Sequence, residues 1–133
     1  MIKSNSKEAK NNIKNYIVRI YNTDNDRDGL QEVTENPTIE DFEAIAKNIY
    51  TCFIDEAYYN YNKMRYSEQE AFSGWCSGLC GTIHTSDYYL GDAVEVLGNI
   101  LEETEEEKAK YTQSQAEKMI NYLIYREIKA ICR

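Results

Sequence analysis

The clearest ligand pattern in the sequence is an acidic segment, residues 24–35, which reads DNDRDGLQEVTE. It matches the calcium-loop expression D-x-[DN]-x-[DN]-G-x5-E, and the carboxylates would come from Asp24, Asp26, Asp28 and Glu35. Carboxylates at alternate positions of a loop can converge on a hard cation, and the last glutamate can bind it with both oxygens. Gln31 and Pro37 count against the site, because an EF-hand has an apolar residue and a continuing helix at these places. We therefore favour a solvated acidic loop over a calcium site.

A second candidate ligand set consists of three residues spaced four apart, Cys76, Cys80 and His84. Zinc would need a fourth ligand, for which the sequence offers Cys52, Cys132 or Asp87. The spacing is not that of a zinc finger, and glycines interrupt the helix that would align the ligands, so we favour free buried thiols. Read as a Cys–His nucleophile pair, the same residues lack an oxyanion donor and an acidic partner. We predict no enzyme activity, no cofactor and no disulfide.

Charge is distributed in blocks along the chain. Residues 22–57 contain ten acids and two bases, and residues 85–107 contain eight acids and no base, whereas both terminal blocks are basic. The densest acidic run ends the second block and contains Glu102, Glu103, Glu105, Glu106 and Glu107. These glutamates can face a basic partner, or they can be matched internally by Lys108, Lys110, Lys118 and the basic first helix. We favour the partner, because local pairing does not account for the excess.

Aromatic composition points to the same kind of function. The chain has twelve tyrosines and three phenylalanines, and tyrosine is enriched at protein interfaces. We expect the tyrosines beside the acidic blocks to contribute to a binding face, namely Tyr58, Tyr59, Tyr88 and Tyr89. The alternative is that these rings lie at the edge of the core with their hydroxyls in water.

Apolar residues recur at steps of three and four along most of the chain, and Pro37 is the only proline. This period predicts helices rather than strands. We predict five: residues 7–21 after an N-cap at Ser6, a long central helix from Thr38 to Met64, a short helix from Ser67 to about Gly78, residues 93–101, and a last helix beginning after Thr112. The last helix should bury Ala116, Met119, Ile120, Leu123, Ile128 and Ile131.

Length and composition bound the remaining possibilities. A chain of 133 residues with 42% hydrophobic residues is sufficient for one core, so we predict an all-α, compact single-domain bundle spanning residues 1–133. A net charge of -8 disfavours direct nucleic-acid binding. No apolar run is long enough for a membrane span and no signal peptide is evident. We therefore expect a cytoplasmic protein.

The C-terminal half resembles a family of small uncharacterised proteins from phages and conjugative elements of gut Firmicutes. The resemblance lies in residues 71–79 (AFSGWCSGL), in Tyr88 and Tyr89, and in residues 122–128 (YLIYREI). The family has an A-F-x-x-W-x-x-G-L-P stretch before a similar C-terminal helix, and Cys80 stands where the family has proline. The resemblance implies a mobile-element origin and carries over no catalytic residue.

Origin and charge together give the functional hypothesis. We expect a small acidic protein that binds a host protein and inhibits or modulates a nucleic-acid-handling or defence enzyme, in the manner of an anti-restriction or anti-CRISPR protein. Acidic blocks with nearby tyrosines could imitate phosphates and bases in a basic groove. The alternative is a calcium- or zinc-binding regulatory protein.

Overall fold

The computed structural model of the chain describes residues 1–28, 39–54, 67–74 and 93–132. These residues are helical, with turns between the helices and no strand among them. The helices are α1 (Lys7–Asp28), α2 (Phe42–Cys52), α3 (Glu68–Gly74), α4 (Ala93–Leu101), α5 (Glu105–Lys108) and α6 (Gln113–Ile131). A 3-10 turn, Ile39–Asp41, precedes α2. The all-α bundle is confirmed.

Helix α1 begins where the sequence indicates and ends later than predicted. The Ser6 hydroxyl accepts a hydrogen bond from the Ala9 N–H at 3.1 Å, which satisfies a free donor of the first turn. The helix then continues to Asp28, so the predicted end at Tyr21 is wrong. Each residue added to an existing helix gains a hydrogen bond without a new nucleation cost, which offsets the weak turn preference of Asn and Asp.

Helix α6 is the centre of the described bundle, because it packs against α1, α2, α3 and α4. We predicted that the helix beginning near Thr38 would be central. The described part of that helix, α2, contacts α6 and α1. Apolar residues on one stripe of α6 are fully buried: Ala116, Ile120, Leu123, Ile124 and Ile128.

Met119 was predicted to belong to this stripe, but its side chain is 37% exposed. The stripe passes through Ile120, Leu123 and Ile124, and Met119 lies one helical position to its side. Tyr122, 38% exposed, lies on the same outer side of α6. Two large apolar side chains of the central helix therefore face outward.

An aromatic cluster closes the other side of the core. Phe72 of α3 contacts Phe53 edge to face, with ring centroids 5.0 Å apart, and lies 5.4 Å from the ring of Tyr125. Such pairs add to the stability that burial provides. Ser67 caps α3 as predicted, because its hydroxyl accepts from the Glu70 N–H at 3.1 Å. Trp75, which we predicted to be buried, lies outside the described residues.

Candidate functional site

The acidic patch is the described part of the predicted binding face, and we define it as Glu95, Glu102, Glu103, Glu105, Glu106 and Glu107. It occupies the end of the bundle at which α4 stops and α5 begins. The predicted acidic turn is in part helical, because Glu105, Glu106 and Glu107 form the first turn of α5. The geometry of this corner decides how much of its charge is available.

The end of α4 is a tight left-handed turn at Glu102. This residue has a φ of 53°, and the following Glu103 N–H returns to the Gly98 carbonyl at 2.8 Å. The arrangement is a Schellman motif, which satisfies a free carbonyl at the helix end. Glycine usually occupies the left-handed position, and a glutamate there carries a conformational cost. The turn directs the chain into α5.

Helix α5 is a single turn that is held by a reciprocal pair of hydrogen bonds. Glu107 N–H donates to the Thr104 hydroxyl at 3.2 Å, and Thr104 N–H donates to the Glu107 carboxylate at 2.9 Å. This capping box has the T-x-x-E signature, which is readable in the sequence, although we did not predict a helix from it. The Thr104 N–H lowers the pKa of Glu107, and the ammonium of Met1, 3.3 Å away, lowers it further.

Lys108 crosses from α5 to α4 and neutralises part of the patch. Its ammonium lies 3.0 Å from Glu95 and 2.8 Å from Glu105. The alkyl chain of Lys108 lies over Gly98, where a Cβ atom would approach Lys108 Cδ to 2.6 Å. Gly98 therefore provides the space that this lysine occupies. The hydrogen bonds to Glu105 and then Glu95 raise the pKa of Lys108.

The other glutamates of the patch make weaker or neutral contacts. The Asn12 amide donates to Glu102 at 3.4 Å and to the Ile100 carbonyl at 2.9 Å. The Tyr111 hydroxyl donates to Glu103 at 3.0 Å. Glu106 is exposed and has no contact among the described residues. Hydrogen bonds from Asn12 and Tyr111 orient these carboxylates without neutralising them.

The patch keeps a large net negative charge after these contacts. Two cationic groups, the Met1 ammonium and Lys108, lie within ion-pair distance of its six carboxylates. Internal matching therefore involves Lys108 as expected, but it does not involve Lys110 or Lys118 among the described residues. Glu95, Glu102, Glu105 and Glu106 are exposed.

The remaining predicted site residues lie largely outside the structure's description. This applies to Tyr58, Tyr59, Tyr88, Tyr89 and Glu35, and also to Cys76, Cys80 and His84. Asp24, Asp26 and Asp28 fall in the helical backbone of α1, where a loop was predicted. Within the described ranges no group of three acidic, cysteine or histidine side chains could hold a metal ion. Calcium and zinc binding stay predictions.

Comparisons with protein-family models, curated proteins and solved structures find no match to this sequence. Function must therefore be inferred from the geometry and charge of the described residues. No helix among them is long and apolar enough to cross a membrane.

A titratable cluster at the opposite end of α6 is structural. Lys129 donates to both carboxylate oxygens of Glu68, at 2.8 and 3.0 Å, and to the Tyr50 hydroxyl at 3.0 Å, and that hydroxyl donates to Glu68. Hydrogen bonds to Glu68 and Tyr50 raise the pKa of Lys129, and partial burial followed by the Glu68 contact raises that of Tyr50. Lysine therefore stays protonated and tyrosine neutral, so neither is poised as a base or nucleophile. The cluster ties α2, α3 and α6 together.

Cys132, beside this cluster, is not activated either. Its thiol lies 3.7 Å from the Ala46 carbonyl, and burial raises the pKa of the thiol. A raised pKa reduces the thiolate fraction, and the thiolate is the nucleophile.

Sequence reasoning missed a second surface, which we call the α6 groove. It is an open groove of about 620 Å³ lined by Ser4, Lys110, Tyr111, Gln115, Lys118, Met119 and Tyr122. The α6 members are spaced three and four residues apart, a signal that places them on one helix face. From the sequence, Met119 was predicted to lie in the core instead.

Proposed function

We propose that this protein acts by binding another protein through its acidic patch, and that the partner presents a basic groove of the kind that handles nucleic acid. The observation that supports this most strongly is the imbalance of six carboxylates and two cations at one structured corner. A single-sign surface accelerates encounter with an oppositely charged surface and rejects like-charged ones.

The structured backbone of the corner adds to the argument. Hydrogen bonds fix the backbone before and after Glu105 and Glu106, through the turn at Glu102 and the capping box at Thr104. A partner does not have to order this segment when it binds, so less conformational entropy is lost. Inhibition or modulation of a host defence or nucleic-acid-handling enzyme is the role we propose for this binding.

The test compares two charge-matched triple variants. One changes Glu102, Glu105 and Glu106 to Gln, and the other changes the exposed glutamates Glu8, Glu40 and Glu43 to Gln. Both lower the net negative charge equally, but only the first alters the acidic patch. Each variant and the wild-type chain serve as bait in a lysate of gut Firmicutes, the host group that the resemblance implies.

We expect the wild-type and control baits to retain the same basic nucleic-acid-binding protein and the patch variant to lose it. With the purified partner, the patch variant should associate more slowly and with a flatter salt dependence, because exposed charges act mainly on the association rate. Equal retention by all three baits would contradict the proposal. Thermal unfolding of each bait shows that the fold is retained.

A further inference from the structure

The α6 groove differs in character from the rest of the described surface. Met119 and Tyr122, which line it, are two of the three exposed large hydrophobic side chains among the described residues, the third being Met1. Exposed apolar side chains that lie together at the edge of a concave surface are typical of interaction sites. Single exposed ones are common and need no explanation.

The walls of the groove are held by contacts outside it. Tyr111 is half-buried and its hydroxyl is fixed on Glu103. The Arg126 guanidinium lies 6.0 Å from the Tyr122 ring centroid and is itself held by the Ser4 carbonyl and, at 3.1 Å, by Glu127. A cation over an aromatic ring restricts the ring and stabilises its position. The aromatic surface is therefore ordered before anything binds.

The charge of the groove is opposite to that of the chain. Two lysines, Lys110 and Lys118, line it together with neutral residues, and no carboxylate lines it within the described part of the chain. Both lysines are exposed and neither forms an ion pair with a described residue. A pair of available cations beside an apolar surface, on a chain of net charge -8, favours an acidic ligand with an apolar side chain.

We propose that the α6 groove binds an acidic peptide segment of another protein, with an aromatic or aliphatic side chain of that segment against Met119 and Tyr122 and its carboxylates on Lys110 and Lys118. Nucleic acid fits less well, because two lysines neutralise few phosphates and the whole chain repels a polyanion. This site is independent of the acidic patch, which takes a partner of the opposite charge.

The experiment uses a displayed library of random 12-residue peptides selected on the full-length protein. Enriched peptides are synthesised and their dissociation constants measured by fluorescence anisotropy on the wild type and on four variants. Lys118→Glu reverses a groove charge, and Lys10→Glu is its matched control on an exposed position of α1. Tyr122→Ala removes the ring, and Tyr122→Phe retains it.

We expect the enriched peptides to have net negative charge and at least one aromatic or aliphatic residue. Lys118→Glu and Tyr122→Ala should each weaken binding by about tenfold or more, as loss of an interface anchor does. Lys10→Glu and Tyr122→Phe should leave it within about twofold. Gln substitutions in the acidic patch should not weaken it, which separates this site from the proposed function.

Three results would overturn the proposal. The first is enrichment of basic or neutral peptides, or no enrichment at all. The second is an equal effect of Lys118→Glu and Lys10→Glu. The third is another occupant: a dimer in sedimentation that Lys118→Glu dissociates, or a 12-nucleotide single strand that binds the groove when no acidic peptide does. Circular dichroism of each variant establishes that it is folded.

Discussion

The acidic patch and the α6 groove share a boundary at Tyr111, yet they use charge in opposite ways. The patch is dense in charge, and five of its six glutamates contact a cation or a hydrogen-bond donor of the same chain. The groove has two lysines, and both are available. The number of charges in a segment is therefore a poor measure of how many can serve a partner. Contacts made inside the chain must be subtracted first.

The largest expected effect comes from the frame that both regions share. Leu123 is fully buried on α6, and its neighbour Tyr122 faces the groove. Leu123→Ala should lower the free energy of unfolding by about 2–5 kcal/mol, because a cavity replaces packed methyl groups. Tyr122→Ala should lower it by about 0.5–1 kcal/mol, the worth of an exposed cation–π contact. Urea unfolding of the two variants measures both, and equal losses would contradict the assigned face of α6.

The second effect compares the capping residues that position each region. Thr112 caps α6, where its hydroxyl accepts from Gln115 N–H at 3.1 Å, and Thr104 caps the single turn of α5. Thr112→Ala should cost about 1 kcal/mol, a typical value for loss of an N-cap. Thr104→Ala should cost less, because α5 makes fewer contacts that depend on its helical form. A larger loss from Thr104→Ala in the same unfolding assay would show that the patch supports the fold.

A third effect concerns acid. The pKa of Glu107 is lowered in the folded chain, so its contacts stabilise the fold above the usual value of 4.5 and lose this contribution as the pH falls through the lowered pKa. Glu107→Gln should therefore unfold more easily than wild type at pH 7, with the difference shrinking towards pH 3. Lys118→Gln, in the groove, should show no such pH dependence between pH 7 and pH 3. Thermal unfolding across this range measures both, and a constant difference for Glu107→Gln would refute the assignment.

The smallest effect is a gain. Glu102→Gly removes the side chain from the left-handed position and should raise the free energy of unfolding by about 0.5–1 kcal/mol. The weak contact with Asn12 is lost in exchange. Glu102→Ala is the control, because it also loses the contact but stays strained, so it should not gain stability. A loss with glycine would mean that the Asn12 contact outweighs the strain.

Much of the fold could be predicted because its signals are local. The apolar period of α4 and α6, and the caps at Ser6, Ser67 and Thr112, all lie within a few residues of the elements they define. The end of α1 could not be placed, because Asn and Asp are compatible with both a turn and a continuing helix. Met119 was assigned to the core because the pattern specifies an apolar residue but not how far the buried stripe extends around the helix.

The candidate sites were less accessible to prediction, because their properties depend on distant contacts. Met1 and Glu107 are separated by 106 positions in the chain, and Arg126 and Ser4 by 122. Neither pair has a signal in the sequence. The contact of Lys108 with Gly98 depends on how the Glu102 turn folds α5 back onto α4. Which glutamates remain available follows from these contacts and not from the acidic run itself.

The central position of α6 has a consequence for synthesis. This helix follows α1 to α5 in the chain, so the ribosome produces it after the helices that pack around it. Until it emerges, the apolar stripes of α1, α2 and α4 lack the surface that covers them, and the nascent chain exposes them to aggregation and to chaperones. Release of the α6 segment from the exit tunnel, rather than formation of any earlier helix, is then the event that allows this protein to complete its core.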